Sequence, residues 1–337
     1  MRSASFTILA ALCISLSFLL GSCDPNTEKK SKLQKVKVAQ FGEVFLYMPL
    51  YIADGMGFFK DEGLEIEITN TGGDDKTFAA VISGAATFGI ADPTFVAIAK
   101  EKGQNGKVIA SVVNGVPFWG VTKNKSIPEI KSGKQLNGYK VATFPSPSTA
   151  YTLQYDMFED AGLKPNIRQG AFGALLPMLD ARQVDIALEL EPNVSTAVHN
   201  GAKIVYSMAD IYGDFAITGV TVSEETAKSK KELMQKFVNA LERAEQYAHT
   251  YPDSAIQFAN KKFPDLNDAI VAKAMKRMIA SNTLPKSAII SKEAWEKAIA
   301  LRKEVGEIKS METARSVLDM SYASKAVEEF KKHSTSK

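Results

Sequence analysis

Leu64-Glu65-Ile66-Glu67-Ile68, then Thr71-Gly72-Gly73-Asp74-Asp75, then Ser83-Gly84-Ala85-Ala86-Thr87-Phe88-Gly89-Ile90-Ala91-Asp92-Pro93 together decide the fold class. The first run alternates apolar and acidic residues, as a half-buried strand does. The second is a tight turn that opens a helix expected over 76–83. The third reads as a strand over 87–91, with Asp92 capping the next helix and Pro93 at a first-turn position. Strands alternating with helices over so short a span build an α/β sheet with parallel strands.

The same alternation extends in both directions. Upstream, Val36 and Val38 alternate with lysines on the way to Phe41 and form a first strand. A loop over 42–45 precedes a short apolar helix over 48–54, stopped by Gly55 and Gly57. Downstream, 108–113 is almost wholly apolar, as expected of a central parallel strand. A charged stretch over 123–134, with Pro128 and Gly133, then reads as a boundary. A second series begins with a strand over 139–144. Pro145-Ser146-Pro147-Ser148-Thr149 leads into a helix ending at Gly162. Strands follow over 167–169, 184–188 and 203–207, with helices over 173–180 and from Glu191-Pro192. The β-branched run 217–222 crosses back, and the remainder is helical, punctuated by Pro252, Pro264 and Pro285.

The expected organisation is therefore lobe I from 35–122 with 219–330, lobe II from 123–218, and a polar tail over 331–337. Two βα lobes joined by two crossovers describe a hinged α/β clamp. Ligands of such sheets sit outside the carboxyl ends of the strands.

Composition narrows the function. The chain has 337 residues, 45% of them hydrophobic, and 41 basic against 38 acidic residues give a net charge of +3. That excludes disorder or coiled coil as the main state. So balanced a charge gives no strong pull on phosphate, and no nucleic-acid partner is expected. Two cysteines, without a CxxC spacing, build neither a zinc site nor a disulfide scaffold. No H-E-x-x-H, G-x-S-x-G or P-loop lysine is present, so no catalytic group, metal or cofactor is expected.

The N-terminus carries an address. Arg2 precedes an uncharged apolar stretch that closes on Leu20-Gly21-Ser22-Cys23. Charge before apolar core is the order of an export signal. The ending resembles the lipobox of bacterial lipoproteins, with a signal peptide over 1–22 and lipid attachment at Cys23. The alternative is a plain transmembrane anchor, for which the stretch is long enough. Residues 23–34 read as a flexible tether.

Met48-Pro49-Leu50-Tyr51-Ile52-Ala53, followed by Gly57-Phe58-Phe59-Lys60-Asp61-Glu62-Gly63-Leu64-Glu65, resembles the opening of a family of ABC-importer solute-binding proteins. Its members bind nitrate, sulfonates, taurine and thiamine-pyrimidine precursors. Ser83 to Ala91, Leu136-Asn137-Gly138-Tyr139-Lys140-Val141-Ala142 and Glu191-Pro192 resemble later segments of that family in the same order. The resemblance spans 35–260. It implies the two-lobed type II periplasmic-binding-protein fold and a monomer that closes on a small polar solute. It also implies partners: an ABC permease with its cytoplasmic ATPase. The lipid at Cys23 would hold the chain to the membrane at the periplasmic face of the inner membrane, where Asp24 retains lipoproteins of enteric-type bacteria. The alternatives are an enzyme on the same fold, of pyrimidine-forming or lyase type, and a solute-sensing subunit. The related pyrimidine synthase carries a cysteine-rich segment that has no counterpart here.

The strand-to-helix loops supply the candidate ligand residues. Glu43 and Tyr47 lie in the first, Gly73 and Asp74 in the second, and Asp92 follows the third strand. Trp119 follows the fourth strand near the crossover. Ser146, Ser148 and Thr149 precede a helix whose free N–H groups attract acceptors. Glu191 follows a strand of the second lobe, next to Glu189. Each has a plainer reading as turn former, cap, core residue or solvated carboxylate. These loops hold acids and the aromatics Phe45, Tyr47, Trp119 and Phe144 but almost no arginine. An unpaired carboxylate in a closed cleft costs several kcal/mol. The expected solute is therefore a flat nitrogenous heterocycle with N–H donors or positive charge. The amides of 146–149 keep a sulfonate, taurine or nitrate-type solute open.

Overall fold

The computed structural model describes residues 32–334. The export segment, Cys23 and most of the tether lie outside the described residues, as do 335–337. The tether ends earlier than expected, because Gln34 already pairs with Leu64. At the other end, the expected polar tail continues the last helix as far as Ser334.

In chain order the first series is β1 (Gln34–Gln40), α1 (Met48–Gly55), α2 (Phe58–Asp61), β2 (Leu64–Asn70), α3 (Asp74–Ile82), β3 (Phe88–Ala91), α4 (Thr94–Glu101) and β4 (Gly106–Asn114). The second is β5 (Trp119–Thr122), β6 (Val141–Thr143), α5 (Thr149–Glu159), β7 (Ile167–Gln169), α6 (Leu175–Asp180), β8 (Ile186–Glu189), α7 (Asn193–His199), β9 (Lys203–Ser207) and α8 (Met208–Tyr212). The chain then returns as β10 (Ala216–Ser223). It continues through α9 (Glu224–Ser229), α10 (Lys231–Thr250), α11 (Pro252–Lys262), α12 (Asp268–Ala280), α13 (Lys292–Glu304), α14 (Met311–Arg315) and α15 (Ser321–Ser334).

Two five-stranded sheets result, ordered β2-β1-β3-β10-β4 and β7-β6-β8-β5-β9. In the first, β1 runs parallel to β2 and β3, and β10 is antiparallel to both β3 and β4. In the second, β6 runs parallel to β7 and β8, and β5 is antiparallel to both β8 and β9. The two sheets share one topology: each takes its antiparallel fourth strand from a crossover that has just left the other sheet.

Three details differ from the sequence expectation. The outward change of sheet falls between Asn114 and Trp119, ahead of the boundary read at 123, and Trp119–Thr122 is a strand of the second sheet. The return is complete by Ala216, which pairs with Asn114. Finally, β4 is not a central parallel strand but ends its sheet, antiparallel to β10. Its apolar sequence comes from a different cover. The amides of Val108, Ser111 and Asn114 donate to the carbonyls of Val317, Ala288 and Thr283, and Asp319 N–H donates to Val108. The C-terminal segment hides this edge, so both faces and the free side of β4 are dry.

The helical C-terminal part shares the core of the first sheet. On α10, Leu233, Met234, Phe237, Val238, Leu241 and Ala244 form the buried face, spaced as a helix requires. Phe237 stacks on Phe88 of β3 at 4.1 Å and meets Phe59 of α2 at 4.9 Å. Burying such a ring contributes roughly 2–3 kcal/mol. The Phe58-Phe59 pair thus anchors the chain reversal between α1 and β2. The two crossovers are held by backbone bonds: Gly115 N–H donates to Phe215 at 3.0 Å, and Met208 N–H to Phe118 at 2.9 Å.

Candidate functional site: the loops at the carboxyl ends of both sheets

The loop after β3 meets the loop after β6. Asp92, nearly buried, accepts at Oδ1 from Thr94 N–H (2.9 Å) and Thr94 Oγ1 (2.6 Å). At Oδ2 it accepts from Thr149 Oγ1 (2.6 Å), at the start of α5, and from Arg302 Nη2 (2.8 Å) of α13. The cap position of α4 falls on Pro93 and not, as expected, on Asp92, but the Asp92 carboxylate still accepts the Thr94 N–H and joins the two loops.

Behind Asp92, Asp74 opens α3 and accepts the Asp92 N–H at 3.3 Å. Burial, and then the neighbouring Asp92 charge, push its carboxyl up to about 7. Tyr47 sits above this pair in a 3-10 turn over Phe45–Tyr47, and burial and the Asp74 charge hold its hydroxyl well above the usual phenol range. Gly73 adopts extended backbone. Its carbonyl accepts from Thr71 Oγ1 (3.0 Å) and Thr77 Oγ1 (2.9 Å), which fix the Gly72-Gly73 turn. Gln40 closes the floor at the end of β1, donating to Asn70 Oδ1 (2.8 Å) and accepting from Tyr51 (3.2 Å).

In the second sheet the end of β8 carries two acids. Glu191 is fully buried. It pairs with Arg277 of α12 and accepts from Ser195 N–H and Ser195 Oγ, both at 3.0 Å. Burial raises its titration, while Arg277 opposes that rise. Arg277 also donates to Ser195 Oγ at 2.8 Å. Glu189 is buried too. Its Oε2 accepts from Leu190 N–H (3.3 Å) and Asn193 Nδ2 (3.1 Å), whereas its Oε1 has no hydrogen-bond partner. Burial pushes this carboxyl up to about 7, with only the bonds from Asn193 and Leu190 opposing. Trp119 lies directly across the strand pair from Glu189, and the Arg277 guanidinium stands 6.0 Å from its ring centre.

The structure therefore brings Tyr47, Gly73, Asp74, Asp92 and Thr149 into one group and Trp119 and Glu191 into another. Glu43 is elsewhere: its exposed carboxylate pairs with Lys262. Ser146 is exposed and engages Gln169 through its N–H at 3.0 Å. Ser148 caps α5 by accepting from Tyr151 N–H at 3.3 Å. The reading of these loops as almost free of arginine needs correction. Arg277 and Arg302 enter them from the C-terminal helices, so Asp92 and Glu191 already have cationic partners. Among the described residues, no group of three or more His, Cys, Asp or Glu side chains is placed to hold a metal ion.

A family model described as "NMT1/THI5 like" matches residues 45–255. The chain belongs to the NMT1/THI5-like family. It is 24% identical over 306 residues to a Bacillus subtilis protein named "Putative binding protein YtlA", covering 88% of this chain and 89% of that one. Among solved structures, it resembles the ligand-binding component of an ABC-type import system from Staphylococcus aureus, described with zinc bound. The TM-score is 0.69 at 13% identity, over 87% of this chain and 99% of the other. It also resembles the periplasmic aliphatic sulphonate-binding protein SsuA of Escherichia coli, with TM-score 0.66 at 14% identity over 85% of this chain and 92% of the other. At these identities the structural likeness shows the fold, which is that of the periplasmic binding proteins.

For this member of the NMT1/THI5-like family, sequence reasoning missed Arg277, Arg302, Ser195 and Gln40. Arg302 had a local signal. Buried residues of α13 include Trp295, Ile299 and Arg302, a spacing that puts a guanidinium on an apolar helix face. Arg277 stands beside Ala274 and Met278 of the buried face of α12. Apart from Glu307, which pairs with Arg302 five residues on, what each meets lies far away in the sequence and had no local signal.

Proposed function

We propose that this chain is the extracytoplasmic solute-binding component of an ABC importer, lipid-anchored at Cys23 on the periplasmic face of the membrane. It captures a small polar solute by hinge closure and hands it unchanged to a permease. The observation that carries this reading is the pair of sheets of identical topology, joined by two hydrogen-bonded crossovers, whose carboxyl-end loops meet at Asp92 and Thr149. The ABC-type import component and the sulphonate-binding protein described above, which share the fold, support it. A micromolar solute supplies about −8 kcal/mol, enough to move a hinge equilibrium of a few kcal/mol.

For the solute, the favoured class is a flat nitrogenous heterocycle such as a thiamine pyrimidine precursor. Arginine pairing removes Asp92 and Glu191 from the earlier argument and leaves Glu189 Oε1 unsatisfied beside Trp119. A buried carboxyl oxygen without a partner favours a solute that can meet it either way, with a ring nitrogen that accepts while Glu189 is protonated and an N–H group that donates once it ionises, and the indole suits a flat ring.

Calorimetry with an aminopyrimidine, taurine, an alkanesulfonate and nitrate tests both levels. Micromolar binding of the aminopyrimidine, with no new product by mass spectrometry, is the expected result. Binding of nitrate or alkanesulfonate alone would overturn the solute class. Turnover of any of them would overturn the transport reading.

A further inference from the structure

We infer that Arg302 is a positioning residue for lobe closure, a latch that joins the two lobes while offering the solute no donor. The inference rests on the solute-capture reading of the same cleft. Arg302 is only 1% exposed although it carries a full charge. A guanidinium has five N–H donors, and all five are used. Nε donates to Thr94 Oγ1 at 3.1 Å. Nη1 donates to the Pro147 carbonyl at 2.9 Å and to Glu307 Oε2 at 2.8 Å. Nη2 donates to Asp92 Oδ2 at 2.8 Å and to Thr149 Oγ1 at 2.9 Å.

The partners divide by lobe and by charge. α13 packs on β10 and α4, so Arg302, Thr94, Asp92 and Glu307 all belong with the first sheet. Only Pro147 and Thr149 come from the second, at the entry to α5. Both are neutral. Opening the cleft therefore leaves the buried charges of Arg302 and Asp92 paired within one lobe. What breaks is the set of bonds to the Pro147 carbonyl and the Thr149 hydroxyl, which water replaces at the rim. A latch of charge pairs split between lobes would leave uncompensated buried charge on opening. This one opens reversibly, since water replaces each bond at the rim and a bond to a charged group shifts an equilibrium by about ten- to a hundredfold. The same bonds occupy Thr149, so the entry to α5 serves closure and not anion binding.

Both native cysteines, Cys13 and Cys23, are replaced by serine in the full chain, and spin labels are placed at Glu67→Cys and Lys134→Cys, both exposed positions in different lobes. Dipolar distance distributions are then recorded without solute. Thr149→Val removes the second lobe's hydroxyl and leaves every buried charge in place. Arg302→Lys keeps the charge but lacks the fork. The latch predicts that the parent shows a short-distance population alongside the long one before any solute is added. In Thr149→Val, which removes the bonds to both Arg302 and Asp92, the open-to-closed ratio rises by at least about tenfold, with a thermal midpoint close to the parent's. Arg302→Lys also shifts toward the long distance. Distributions identical to the parent's in both variants would overturn the inference. Calorimetry on the parent with the same aminopyrimidine judges the capture reading separately. Binding there alongside unchanged distances sinks the latch alone.

Discussion

Trp119 and Glu189 stand opposite each other in the antiparallel β5–β8 pair, and neither oxygen of Glu189 meets a cationic side chain. Folding thus places a carboxyl in a dry site with one oxygen unsatisfied. The folded chain keeps a proton there, up to about pH 7, that the unfolded chain releases near 4.5. Folding is favoured by this group below pH 4.5, and that contribution is lost as the pH rises through 7. A displacement from 4.5 to about 7 corresponds to about 3 kcal/mol. Glu189→Gln removes the titration and keeps the shape. Thermal melts from pH 5 to 8 should show the parent losing stability relative to Glu189→Gln. Parallel curves would disprove the buried proton.

Arg277 and Glu191 invite the opposite experiment. Glu191 is fully buried, while the Arg277 side chain is 22% exposed. Arg277→Met leaves a carboxylate without its cation, which costs about 3–5 kcal/mol. The loss should be larger at pH 8 than at pH 5, because Glu191 can take up a proton at the lower pH. Adding Glu191→Gln should restore part of the stability. Chemical denaturation of the single and double variants measures the coupling, and additive losses would show the pair to be unimportant.

The lobe pattern was legible because each strand carried its own evidence. Leu64, Ile66 and Ile68 alternate with exposed Glu65 and Glu67, which suits the edge position of β2. What failed was information held elsewhere in the chain. The apolar run of β4 looked central because nothing local announces that the segment from Thr283 to Asp319 covers it. Trp119–Thr122 is too short to show a period, and only its pairing with β8 and β9 makes it a strand. Asp92 and Thr149 were legible as loop residues at strand ends. The guanidinium that joins them sits 210 residues beyond Asp92, in the C-terminal part that the sequence marks only as helical.

Gly120 tests how tightly the second sheet is packed. A Cβ built there would collide with the ring of Tyr206, which is buried and whose hydroxyl donates to Gln154 Oε1 at 2.5 Å. Gly120→Ala must push the ring aside and break that bond. We expect a loss of about 3 kcal/mol, combining overpacking with a stranded polar group. In a Tyr206→Ala background the same glycine change should lose most of its effect. Urea titrations of the four proteins make that comparison, and an undiminished effect would place the clash elsewhere.

Gly115 tests the crossover itself. It has φ +71, a left-handed conformation that costs an L-residue about 1–2 kcal/mol. Space is not the obstacle: a Cβ would find the Ser281 carbonyl at 3.6 Å and the Gly213 carbonyl at 3.7 Å, ordinary contacts. The strain of Gly115→Ala would fall on the bond from Gly115 N–H to Phe215, which ties the outward crossover to the returning one. If that bond guides lobe motion, the variant should lose about 1–2 kcal/mol of stability. Its distance distribution between the lobes should also broaden, while Gly115→Asn, which tolerates the left-handed region better, recovers much of both. A variant that loses stability with an unchanged distribution would confine Gly115 to folding and leave the hinge to residues between Ser207 and Ala216.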